Sequence, residues 1–160
     1  MADLKHVTYC GLYCKLCANL ARIPQQAKAL RDTFGKTGWP DYGEAYVPEF
    51  KAFWKGLEHF SKLDEICPGC RGGCGFPECP IRACAVERGL EVCSACADFP
   101  CHHLQRLGRR YPTLLADAER QRCVGMAQWI EEQEERVSAS VCYMDFRYRI
   151  EDDDALDEKG

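Results

Sequence analysis

A chain of 160 residues with thirteen cysteines, 29% charged residues and a net charge of −4 fits one domain with a modest hydrophobic core. The charge is uneven: the last ten residues, EDDDALDEKG, carry six acids against one lysine, so the preceding 150 residues sum to +1. Such a body has no overall basic field, which disfavours nucleic acid as a partner. Nor does any stretch approach the ~18 apolar residues of a membrane span.

The start, MADLKHVTYC, is mixed polar and charged, without the pattern of a secretory signal. The expectation is a soluble cytoplasmic protein with no membrane partner. In that compartment thiols stay reduced, so metal rather than disulfide bonding accounts for this density of cysteine. Residues 1–150 read as a single cysteine-rich helical domain and residues 151–160 as an acidic, solvated, disordered tail.

HVTY, residues 6–9, leans towards strand. CGLYCKLC follows, with Cys10, Cys14 and Cys17 in the CxxxCxxC spacing that holds an iron–sulfur cluster in radical S-adenosylmethionine enzymes. The barrel of those enzymes typically needs roughly 200 residues or more, so the chain is too short for one. Pro24 opens a predicted amphipathic helix, with Ile23, Ala27, Leu30 and Phe34 on one face and Gly35 as its stop. TGWPDYGEAYVPEF reads as a loop whose Trp39, Tyr42 and Tyr46 cap a small core. Pro48 opens a second helix with Phe50, Phe53, Trp54, Leu57 and Phe60 as the main core wall.

Residues 67–101 are broken by glycine and proline, and only PIRACAVERG, 80–89, looks helical. Buried apolar area cannot order such a section, whereas metal ligation can contribute on the order of ten kcal/mol. HHLQRLGRRY then begins a helical region that continues from Pro112 to about Val137, with Leu115, Cys123, Met126, Ile130 and Val137 on one face. Cys123 is expected there as a buried small hydrophobe. Met144, Phe146, Tyr148 and Ile150 alternate with charged residues, the period of a strand. Such a strand pairs with residues 6–9 or across a homodimer. The fold class is mainly α: a small helical domain with an irregular, metal-stapled cysteine section and at most a short β-ribbon.

The central run supplies Cys67, Cys70, Cys74, Cys79 and Cys84, and CSACADFPC supplies Cys93, Cys96 and Cys101. Two CxxC pairs, each with a further cysteine close behind, are ligand spacing, because both thiolates of the turn reach one ion at about 2.3 Å. Four thiolates suit zinc, and they also suit iron or an iron–sulfur cluster. Cys67, Cys70, Cys74 and Cys79-Pro80 approach the bacterial ferredoxin run, with one extra residue in each of the last two gaps. Zinc tolerates looser spacing and is the leading expectation. His102 or His103, directly after Cys101, could supply a further ligand.

Four landmarks together, CGLYCKLC, CPGCRG, CPIRAC and ERGLEVCSACADFPC, resemble a cysteine-rich bacterial and archaeal family, domain of unknown function 3795, across about residues 9–107. The resemblance implies zinc binding through Cys10, Cys14, Cys17, Cys70, Cys79, Cys84, Cys93, Cys96 and Cys101, and it implies no activity. Cys67 and Cys74 join the candidates on spacing. No hydrolase, zincin, nucleotide or dinucleotide motif is present, so the chain reads as a metal-binding interaction module for a protein or small-molecule partner rather than an enzyme. An iron–sulfur redox protein, or an accessory of a redox enzyme, is the alternative. On the first reading CGLYCKLC becomes a staple that joins the N-terminus to residues 67–101.

Overall fold

The structure, a computed structural model, describes residues 3–146; the acidic stretch 151–160 lies outside them. Among the described residues the chain is helical, without a strand, and its β structure is an isolated antiparallel bridge between Val7 and Tyr13. None of the described helices is long and apolar enough to cross a membrane. The chain divides into two compact units, Cys17–Cys67 and one built from the segments on either side of it.

In the unit Cys17–Cys67, α1 (Ala18–Ala21), α2 (Ile23–Lys36), α3 (Trp39–Tyr42), α4 (Phe50–Phe60) and α5 (Leu63–Ile66) follow one another closely. Pro24 stands in the first turn of α2, where its missing N–H costs nothing. Helices α2 and α4 pack together around an aromatic cluster. Phe34 meets Trp39, Phe50 and Phe53 at ring separations of 5.3–5.8 Å. Trp39 also leans on Phe50 at 5.5 Å, which is the capping role expected of it. Gly43 is required by a close approach: a β-carbon there would stand 2.6 Å from the Phe50 ring.

The expected apolar stripes are only half used. Ala27 and Pro24 are buried on α2, and Phe50 and Leu57 on α4, but Leu30, Phe53 and Phe60 are 45%, 44% and 48% exposed. The stripes are wider than the seam between α2 and α4, and their flanks stay wet.

The other unit contains α6 (Pro80–Glu87), α7 (His102–Arg110), α8 (Leu114–Val124) and α9 (Met126–Ser138). Its core joins Val7, Leu12, Tyr13 and Leu16 from the N-terminus to Ile81, Val92, Leu104, Leu114, Trp129 and Tyr143. Fully burying an aliphatic or aromatic side chain of this size contributes about 1.5–3 kcal/mol, so these contacts dominate the unit. Trp129 sits at the centre, fully buried and edge-on to Tyr13.

The single long helix expected between Pro112 and Val137 is two helices. Gly125 separates α8 from α9 with φ +80° and ψ 163°, a conformation far from helical that a residue without a β-carbon adopts freely. The two helices pack as a hairpin. Arg136–Asp117 and Arg120–Glu132 ion pairs tie one to the other. The buried face of α8 is therefore Leu114, Ala118 and Gln121 rather than the expected stripe, and Cys123 is exposed, not a core residue.

The strand expected from Met144 does not form over its described part. Tyr143–Asp145 is a 3-10 turn, closed by an Asp145 side chain that accepts from the Cys142 N–H at 3.2 Å. Residues 147–150 lie outside the described residues. Met144 is half exposed while Tyr143 is buried, so the turn points a different residue inward from the one that alternation would choose. The β-leaning residues 6–9 supply only the Val7–Tyr13 bridge, and among the described residues no strand is available for dimerisation.

A polar cluster closes the surface over Tyr13. Its hydroxyl donates to Glu134, and Lys15 donates to the same carboxylate at 2.7 Å. The lysine first and the tyrosine second hold Glu134 below the usual carboxylate range. Stability from such a group is complete above the unfolded pKa of about 4.3 and is lost as pH falls through the lower folded value. The pair is half exposed, so the effect is screened. Glu134→Gln should lose less stability than the parent between about pH 5.5 and 3, read as urea midpoints at each pH. Equal losses would remove Glu134 from the acid response.

Candidate metal centre

The cysteines occupy turns and helix starts more than helix interiors. Cys14 opens the 3-10 turn Cys14–Leu16, Cys70 opens Cys70–Gly72, and Cys93 opens Cys93–Ala95, which Cys96 caps. Cys79 and Cys101 are the N-cap residues of α6 and α7. Cys84 lies inside α6, and Cys123 inside α8. Proline and glycine set these turns. Pro80 follows Cys79 as the first residue of α6, and Gly69 takes φ +69°, the left-handed region that Cys70's turn needs before it.

One group of thiols gathers around Cys10. The Thr8 hydroxyl is 3.0 Å from the Cys10 sulfur, and it accepts from the Leu12 N–H at 2.8 Å. Burial pushes the Cys10 thiol up to about 11, against the Thr8 hydrogen bond, and Cys70 and Cys79 are near enough to oppose its ionisation further. Gly69 stands against Cys14: a β-carbon there would lie 3.8 Å from the Cys14 sulfur. Cys10 and Cys14 are thus beside the central section.

A second group lines a cavity of about 320 Å³. Cys84, Cys93, Cys96 and Cys101 all contribute to its wall, together with His102 and His103. Burial pushes the Cys93 thiol up to about 12, and Cys10, Cys101, Cys84 and Cys96 add to the effect in that order. Cys10 therefore stands electrostatically between the two groups. Among the described residues, no three or more His, Cys, Asp or Glu side chains converge in single-ion geometry.

Cys17 and Cys67 belong to the other unit, where Cys17 precedes α1, Cys67 follows α5, and these two helices pack on each other. Cys142 is buried under the C-terminal turn and Cys123 is on the surface of α8.

What holds the cysteine turns was not read from the sequence. Gln121, buried on α8, donates from its amide nitrogen to the Gly11 carbonyl at 3.0 Å and accepts from the Ser94 hydroxyl at 2.8 Å. One side chain thereby joins the CGLYC loop to the CSAC turn. Gly11 has φ +96°, and a β-carbon on it would meet the Gln121 amide at 3.2 Å. Beside this bridge the Cys93 N–H donates to the Tyr9 carbonyl at 2.7 Å.

Two arginines do comparable work. Arg71 donates to the carbonyls of Leu4, Val7 and Glu91 and lies 4.6 Å above the Tyr9 ring. Arg82, on α6, donates to four carbonyls of the preceding loop, those of Cys70, Cys74, Phe76 and Pro77, at 2.8–3.3 Å. Guanidinium offers five donors in a fixed fork, so one residue can hold a whole irregular loop. The signal available in the sequence was an arginine on the only helix of a section otherwise unable to satisfy its own carbonyls.

Helical scaffold and clustered thiols define a cysteine-rich α protein with two thiol groups in one unit. A family described as a protein of unknown function (DUF3795) matches residues 6–106, well over half of the chain, and the chain belongs to that family. No curated protein and no solved structure matches it.

Replacing Gln121 by alanine leaves the Ser94 hydroxyl and the Gly11 carbonyl buried without their partner. Each such loss costs about 1–3 kcal/mol, so a combined loss of about 2–6 kcal/mol is expected in urea denaturation. A change below about 0.5 kcal/mol, the level of an ordinary surface site, would show that the bridge does not hold the two turns.

Proposed function

We propose that this protein is a thiolate metal-binding module whose metal orders the cysteine section against a helical scaffold. The observation that supports this reading is the gathering of thiols from distant parts of the chain. Cys10 shares its surroundings with Cys70 and Cys79, and Cys93 shares its own with Cys84, Cys96 and Cys101. Thiols so close together oppose one another's ionisation, and a bound cation reverses that cost.

At the Cys10 group the proposed ion is zinc, held by Cys10, Cys14, Cys70 and Cys79. Soft thiolates suit it, and four of them close the coordination shell, which is the arrangement of a structural rather than a catalytic site. Thr8 fits an outer-shell role, because a hydroxyl donating to a ligating sulfur orients it and spreads its charge. These sulfurs do not converge in single-ion geometry among the described residues, so binding would have to draw them together. The role of such a site is to fix a surface for a protein or small-molecule partner.

Elemental analysis of anaerobically purified protein should find zinc, and Cys10→Ser together with Cys79→Ser should remove about one zinc per chain. Chelation should lower the thermal midpoint followed by circular dichroism. Protein that carries no transition metal, and whose midpoint does not move when zinc is added, would sink the reading.

A further inference from the structure

The two thiol groups differ in what surrounds them, and that difference bears on what each holds. Cys84, Cys93, Cys96 and Cys101 face a common cavity of about 320 Å³. A zinc ion bonded at about 2.3 Å to four sulfurs brings them to roughly 3.8 Å from one another, with no space between. Here the thiols line a space. In a cubane cluster each iron takes one cysteine thiolate, and inorganic sulfide fills the interior, so its four cysteines stand apart around a volume.

The walls suit the same occupant. Ala85, Leu90, Phe99 and Leu104 give the cavity an apolar lining. Arg88 stands on its wall and donates to the Cys96 sulfur at 3.3 Å while pairing with Asp98 at 2.5 Å. The N-terminus of α7, a nine-residue helix with Cys101 at its N-cap position and no side-chain cap hydrogen bond, lies at the cavity too. A cluster with four thiolates is an anion, which a helix N-terminus and an arginine both stabilise.

Resting on the metal-binding reading above, we propose that Cys84, Cys93, Cys96 and Cys101 hold a cubane iron–sulfur cluster, and that Arg88 sets its reduction potential through the Cys96 sulfur. A hydrogen bond to a ligating sulfur withdraws charge from the cluster and favours the reduced state. Arg88 is a positioning and tuning residue, not a ligand.

The test uses the full chain, purified without oxygen and reconstituted with ferric iron, sulfide and a thiol reductant, the thiol supplying the two electrons per cluster that take four ferric ions to the oxidised cubane. The expected product binds about four iron and four acid-labile sulfide per chain, with broad visible absorbance. Dithionite, supplying one electron per cluster, should bleach that absorbance. Cys93→Ser with Cys96→Ser should abolish iron and sulfide uptake. Arg88→Ala should keep the full content and shift the potential to more negative values.

Zinc without iron at Cys93 and Cys96 would overturn the cluster and leave the metal-binding reading intact. Protein that takes up no metal of any kind would overturn both. Iron and sulfide retained by the Cys93, Cys96 variant but lost from Cys10→Ser would move the cluster to the other group and overturn this assignment. Should the double variant fail to fold, the iron and sulfide content of the parent and the potential of Arg88→Ala still decide.

Discussion

The buried amide of Gln121 is the contact on which the cysteine section depends. It hydrogen-bonds both the CGLYC loop and the CSAC turn, and each bond uses a different end of the amide. An amide can do this where a carboxylate cannot, because it presents a donor as well as an acceptor. Its place on the face of α8 that also carries Leu114 and Ala118 roots the bridge in the core. The positions of Cys10 and Cys93 relative to each other therefore follow from helix packing.

The same logic runs through the rest of the unit. Irregular backbone carries carbonyls that no helix or sheet satisfies, and burying them bare costs more than any gain from the loop itself. Arg71 and Arg82 satisfy seven of them between them. Metal need not carry the whole burden of order in residues 67–101, although apolar burial alone could not. Protein hydrogen bonds set the course of the chain, and ligation would fix the directions in which the thiols point.

Sequence and structure agree where local rules dominate. Pro24 and Pro80 start helices where proline is tolerated at the first turn, Gly89 follows the end of α6, and the mainly α class follows from the periodic apolar positions. They part where tertiary contacts decide. Gly125 broke a pattern that periodicity alone would continue, because a glycine inside a helical run carries no mark of whether it will leave helical space. Alternation at Met144 and Phe146 suggested a strand, but a buried Tyr143 and a carboxylate at Asp145 close a turn first. Cysteine spacing singled out candidate thiols, whereas their division into two groups depends on Gln121 and on the N-terminal segment, both remote in sequence.

The unit that holds both thiol groups is discontinuous, with residues 17–67 lying between its two segments. On a ribosome adding about 5–20 residues per second, Cys10 and Cys14 are made about 3–12 seconds before Cys70 exists. During that interval the two N-terminal thiols have neither the Gln121 bridge nor Arg71 to hold them. They are solvated, reactive and open to any soft metal present. Assembly of the site is therefore a problem of waiting as well as of affinity, and the order of translation gives the cell a period in which thiol chemistry must be kept quiet.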